Sequence, residues 1–317
     1  MADAPDDNDA ARREHVRIVE QAAAWFAKLN DGKPKRHHQA EFAAWLGADP
    51  RHLPAYEDIQ RLWNSAGDLP ELKQHEASIT ARKITRRQLG IGALALAGGV
   101  GALYATRRPH ADYETSTAER RTITLPDGSV ADLSAQTRIT LDYEPAARRI
   151  NLLEGEAFFT VAAAPGRPFV VEAGAARATA LGTAFSVANN GSAVRLLVTE
   201  HTVSLSAGAR TARIDAGNRV LYDGRSIGPV EPADSAADLA WRDGRLVFTH
   251  APFSEVVATI NRWRPGRIVV VGEELARRPV TVIAEIERVD EVVTQLDQIL
   301  PVRLLSLTPW LTLALPA

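Results

Sequence analysis

Few residues in this 317-residue chain could carry chemistry, and their spacing excludes more than it offers. There is no cysteine, which removes disulfides, thiolate nucleophiles and cysteine metal sites together. No Walker A loop, no G-x-S-x-G nucleophile elbow and no H-E-x-x-H pair occurs. His37, His38 and His52 have no carboxylate at ligand spacing, so they read as exposed loop histidines and no metal site is expected. What remains is binding chemistry. Trp25, Trp45 and Trp63 are three of the six tryptophans and fall in one short N-terminal stretch, with Phe26 and Leu46 beside two of them. Two readings stand for each tryptophan: it pins a small core, or it presents an apolar patch to a partner, where tryptophan is enriched at binding hot spots.

The elements that must position these side chains are helical. Val16, Val19, Ala23 and Phe26 recur at three- and four-residue steps, which predicts a helix over 11–29 that Asn30, Asp31 and Gly32 stop. A second helix is predicted over 38–46, with Phe42, Trp45 and Leu46 inward. A third starts near Pro54, with Tyr56, Ile59 and Trp63 aligned. Residues 1–80 carry 14 acids against 10 bases, a net of −4, whereas a helical domain that reads DNA needs a basic face.

The next stretch, Gln88 to Thr106, has 19 residues, none charged, between Arg86–Arg87 and Arg107–Arg108. At about 1.5 Å of rise per residue it spans roughly 28 Å, close to the hydrocarbon thickness of a bilayer. The expected structure is one transmembrane helix, weakened by five glycines; the rival is a buried Ala/Leu/Gly helix of a soluble core. Arg82, Lys83, Arg86 and Arg87 precede it and two arginines follow closely, so the positive-inside rule puts the N-terminus in the cytoplasm. Ala93, Ala97, Gly101 and Ala105 form a small-residue stripe at four-residue steps.

From Tyr113 to Ala237 short apolar or alternating runs are separated by turn signals such as Pro126-Asp127-Gly128, Pro165-Gly166 and Asn189-Asn190-Gly191. That pattern predicts an all-β domain, sandwich or solenoid-like, in which Leu153 to Phe159 is two strands' worth of buried surface around a glycine kink. Over 241–317 the pattern becomes strand, helix, strand, twice. A shift of 36 residues aligns Phe253 with Val289, Glu255 with Glu291, Ile260 with Leu296, Pro265 with Pro301 and Arg267 with Arg303. The register predicts a duplicated βαβ unit in which helices cover a sheet, closed by a last strand over 311–315.

Three stretches resemble one family. WFAKLNDG (25–32) with EFAAWLGADPRHLPAYEDIQRLW (41–63) is similar to the cytoplasmic domain of FecR-type anti-sigma regulators. LPDGSVADLSAQTRITLDY, RRINLLEGEAFFTVA, PFVVEA and ALGTAFSV, in that order, resemble the extracytoplasmic FecR domain. The C-terminal repeat resembles the secretin and TonB short N-terminal (STN) domain. The resemblance implies a multidomain chain: an all-α cytoplasmic domain over 1–80, one span over 88–106, a periplasmic all-β domain over 113–237 and a C-terminal α+β domain over 241–317.

It also implies partners. An extracytoplasmic-function sigma factor is expected on Trp25, Phe26, Trp45, Leu46 and Trp63. The signalling domain of a TonB-dependent outer-membrane transporter is expected on the C-terminal domain, and an intramembrane protease at the small-residue stripe. In some members a Gly-Thr bond matching Gly182-Thr183 breaks spontaneously. A threonine hydroxyl can attack the preceding carbonyl, and glycine there offers no Cβ to block it; the rival reading is a plain bulge between two strands. The expected function is a single-pass inner-membrane anti-sigma factor, for iron or siderophore uptake, that is no enzyme and needs no cofactor or direct nucleic-acid contact. The alternative is a membrane-anchored DNA-binding regulator with a periplasmic sensor. A periplasmic hydrolase with a cytoplasmic tail lacks a catalytic constellation.

Overall fold

A computed structural model describes residues 7–30, 36–66, 110–308 and 311–316. The span expected over 88–106, with Ala93, Ala97, Gly101 and Ala105, lies outside them. Among the described residues no helix is long and apolar enough to cross a membrane. The chain forms two compact units. The first comprises 1–86, 250–280 and 290–317; the second comprises 87–249 and 281–289.

The second unit is built of strands. In chain order they are β1 (Tyr113–Glu114), β2 (Arg121–Thr124), β3 (Val130–Leu133), β4 (Arg138–Tyr143), β5 (Arg148–Thr160), β6 (Phe169–Ala173), β7 (Ala176–Ala180), β8 (Ala184–Asn189), β9 (Val194–Val198), β10 (Thr202–Ala207), β11 (Arg210–Asp215), β12 (Asn218–Tyr222) and β13 (Glu231–Pro232). The long strand β5 decides the architecture. Its first half pairs antiparallel with β4 and parallel with β6, while its second half, from Gly155, pairs antiparallel with β3 and β8. One set of neighbours runs β4-β5-β6-β7-β10-β11 and the other β3-β5-β8-β9-β12-β13. Ile139, Ile150, Phe159, Phe169, Phe185, Leu196, Val203 and Ile214, from both sets, share one buried core. Of the two architectures the sequence left open, this is the sandwich.

The kink expected at Leu153 to Phe159 falls on Gly155, at φ +96°. A Cβ there would lie 2.4 Å from both Cα and Oγ1 of Thr137. The close approach is used: Thr137 Oγ1 accepts from Glu156 N at 3.0 Å and donates to Glu156 O at 3.0 Å, while Ser134 N donates to the same carbonyl at 2.9 Å. These bonds satisfy the main chain of β5 where it leaves one ladder for the other.

At the rim, Arg148, 1% exposed, holds Asp127 through Nη1 at 2.7 Å and donates to the carbonyls of Ala162 and Arg167. Burial alone would raise the Asp127 carboxyl, but hydrogen bonds from Ser129 and Arg148 hold it below its ordinary value. The pair locks the turn after β2 onto the first residue of β5.

The first unit holds three N-terminal helices, α1 (Asp7–Asn30), α2 (Arg36–Ala48) and α3 (His52–Ala66), close to the predicted spans. Ile18, Val19, Ala22, Ala23 and Phe26 of α1 share a core with Ala55, Tyr56 and Ile59 of α3. The unit also holds most of the C-terminal elements.

Those elements follow a short helix α4 (Ser235–Asp238) and a 3-10 turn, Ala240–Asp243. They are β14 (Arg245–Pro252), α5 (Phe253–Ile260), β15 (Arg267–Val270), α6 (Glu273–Arg277), β16 (Pro279–Glu285), α7 (Val289–Ile299), β17 (Val302–Thr308) and β18 (Leu311–Pro316). Both βαβ units appear where the 36-residue shift put them. The single covered sheet expected from the sequence is instead two sheets. The first strands of the two units pair as β14-β16, and the second strands flank β18 as β15-β18-β17. The first strands thus meet each other, while β18 separates the second strands, parallel to β15 and antiparallel to β17. Val269, Leu313 and Leu305 stand in one row across the three strands. That apolar row joins Leu315 and the core of α1, and Arg303 lies 2.6 Å from Glu20.

Substituting Gly155→Ala should destabilise the β domain by roughly 2–4 kcal/mol, from the clash with Thr137 and the positive φ together. Chemical denaturation of the full chain measures it. A midpoint unchanged from the parent would mean that the close approach at Thr137 does not constrain β5.

Candidate functional site

The helical unit brings two of its three tryptophans together. Trp25 of α1 meets Phe42 at 5.7 Å and Trp45 at 6.4 Å between ring centroids, and Phe42 stacks on Trp45 at 6.0 Å and packs on Tyr56 at 4.6 Å. Trp45 Nε1 donates to Gln21 Oε1 at 3.0 Å. Lys28 sits 4.5 Å over the Trp25 ring and pairs with Glu41 at 2.9 Å. Trp25, Trp45 and Leu46 are half-buried, Phe26 is 3% exposed, and the side chain of Trp63 lies outside the described ones. Trp25 and Trp45 therefore pin α1 to α2 while each stays only half-buried. Phe26 belongs to the core.

The histidines need correcting. His37 and His38 lie on α2, not in a loop, and His52 is 8% exposed at the start of α3. The His52 ring stacks on Trp45 at 4.2 Å and 7°, with Nδ1 2.6 Å from the Trp45 carbonyl. Its role is to cap and cover Trp45. Among the described residues no group of His, Asp and Glu could hold a metal. At the same corner Arg51 binds Asp49 at 2.6 Å and Glu14 at 3.3 Å, and its hydrogen bond holds the Asp49 carboxyl well below the usual range.

Gly182 and Thr183 form the bend between β7 and β8. Two bonds clasp it to the chain after β5: Val161 N donates to Thr183 O at 2.9 Å and Ala164 N to Leu181 O at 3.1 Å. A Cβ on Gly182 would come 2.9 Å from Ala163 Cα, so packing alone requires glycine here. Thr183 is 4% exposed and its hydroxyl donates to the Glu200 carbonyl. A carbonyl is a weak base, so this contact orients the hydroxyl without activating it as an imidazole or carboxylate would.

Two family models match the chain, described as FecR protein, over residues 111–204, and as a domain of unknown function (DUF4880), over 20–62. The resemblance to the FecR family is thus borne out over residues 111–204. The first match runs from the start of the sandwich into β10, and the second runs from the middle of α1 into α3 and takes in the aromatic cluster. Two crystal structures, at 1.65 and 2.50 Å, of a "putative anti-sigma factor" from Parabacteroides distasonis ATCC 8503 share the fold. They have TM-scores of 0.59 and 0.58 at 21% identity, over 65% of this chain and 98% of theirs. No curated protein matches.

One cluster escaped the sequence reading. Glu156, 7% exposed, accepts from Ser186 Oγ at 3.0 Å and Trp241 Nε1 at 3.2 Å. The residues are far apart in sequence and belong to no periodic pattern; the available signal was a lone tryptophan in a charged stretch at a domain boundary.

If the bend at Gly182 cleaves itself, purified protein runs as two associated fragments, the second beginning at Thr183. Thr183→Ser should still cleave and Thr183→Ala should leave one band. Intact parent protein on a denaturing gel, or cleavage in the alanine variant free of protease, would dispose of the reaction.

Proposed function

We propose that this chain is a FecR-family anti-sigma factor whose helical unit holds an extracytoplasmic-function sigma factor, and whose sandwich and C-terminal domain receive the releasing signal across a membrane. The observation that carries the first half is the Trp25–Phe42–Trp45 cluster on an acidic unit. It leaves half-buried aromatic rings on a unit of net charge −4, the wrong sign for nucleic acid. The solved structures of similar fold support the same reading through what their protein is described as.

The uncharged 19-residue stretch 88–106 supports the second half through the crossing it would make. A chain inserted with its N-terminus in the cytoplasm cannot keep α1 on the β15-β18-β17 sheet, because the two lie in different compartments. Insertion uncovers Leu313, Leu315 and Leu305 in one compartment and the facing surface of α1 in the other. Each then needs a partner: the transporter's signalling domain for the sheet, the sigma factor for the helix. Cleavage at Gly182, access of an intramembrane protease to the small-residue stripe and a role in iron or siderophore uptake belong to the same proposal.

Residues 1–80 used as bait should retain a sigma subunit and no duplex DNA. Ala at Trp25 or Trp45 should weaken that capture by about 2 kcal/mol, near thirtyfold, with helicity by circular dichroism kept. Capture of DNA instead, or full sigma affinity in both folded variants, would refute the proposal.

A further inference from the structure

The stretch between the sandwich and the C-terminal repeat is tied down at Asp238, Trp241 and Arg242. The outer face of the second sheet carries a straight row, one residue per strand: Thr122, Asp132, Phe158, Ser186, Leu197 and Arg219 are successive cross-strand partners from β2 to β12. Ser235–Asp243 makes its bonds to this row and to its neighbours. At one end Asp238 pairs with Arg219 at 3.2 Å and Arg195 at 3.9 Å. In the middle Trp241, 5% exposed, gives its indole N–H to Glu156 beside Ser186. At the other end Arg242 binds Asp132 at 2.7 Å with its guanidinium 3.9 Å over the Phe158 ring, and Arg120 donates to the carbonyls of Trp241 and Arg242 at 3.1 and 2.8 Å.

We propose that Ser235–Asp243 is a releasable strap, which couples the first strand of the C-terminal domain to the sandwich and uncovers the outer face of the second sheet when it lifts. Three observations separate it from the core beneath. Its helix α4 has no buried residue. Its ion pairs sit at a wet rim, with Arg195 30%, Arg242 35% and Arg219 40% exposed, where such pairs contribute little. Its apolar anchorage is Leu239, Ala240 and one tryptophan, against a core running through both sheets. Local opening of such a segment costs less than opening the sandwich. Only Gly244 separates Asp243 from β14, so a load on β14 reaches the strap directly. Lifting exposes Phe158, 4% accessible with the Arg242 guanidinium over its ring, on the β5–β8–β9 ladder that continues into the Gly182–Thr183 bend. This inference holds whatever partner the chain has.

The absence of cysteine makes the test clean. In the full chain, Ser186→Cys places a thiol under the strap and Ala178→Cys places one in the core, at 3% and 1% exposure in the parent. Adding Trp241→Ala and Arg242→Ala should speed maleimide labelling of the Ser186→Cys protein by roughly tenfold or more and leave the Ala178→Cys protein protected. Unchanged labelling at 186 overturns the proposal. So does equal acceleration at both positions, which would make the segment part of the core rather than a strap over it.

Discussion

The sandwich depends on one backbone approach: β5 passes Thr137 so closely at Gly155 that no side chain fits between them. A strand that changed ladders without such a contact would leave main-chain donors and acceptors unpaired where the two sheets diverge. Here the Thr137 hydroxyl and Ser134 amide take them up. Three contacts depend on the half of β5 beyond that point and the residue that follows it. Glu156 holds the Trp241 indole, Phe158 lies under Arg242, and Val161 clasps the bend at Thr183. The sheet switch and the anchorage of Trp241 and Arg242 are thus parts of one strand.

The C-terminal domain solves a different problem. Each βαβ unit is too small to bury its own helix, and duplication lets the first strands pair with each other while the second strands pair with β18 from either side. The outcome leaves an apolar row, Val269–Leu313–Leu305, on the sheet face that α1 occupies. Apolar cover of that kind and a membrane crossing at 88–106 are alternatives for a single chain. The proposed function takes the crossing and assigns the freed surfaces to partners.

Periodicity made much of this legible. Strand runs and turn signals located the β elements, the 36-residue shift located both βαβ units, and the LEGEAFF glycine marked the sheet switch. What the sequence did not reveal is long-range. Alternation says which residues face inward, but not that β5 serves two sheets or that the first strands of the repeat pair while the second strands flank β18. His52 looked exposed because no local pattern says that an imidazole will stack on Trp45. The strap was invisible for the same reason. Its partners, Arg120, Asp132, Glu156, Arg195 and Arg219, come from five separate stretches and converge only after folding.

The central claim is that the helical unit and the β domain work on opposite sides of a membrane. Fusing a reporter that is active only in the cytoplasm after Asn64, and in a second chain after Ala237, tests it in living cells. The account predicts activity from the first fusion and none from the second. Activity from both would place α1 and β18 in one compartment, as their packing allows, and contradict the crossing; activity from the second alone would invert the whole scheme.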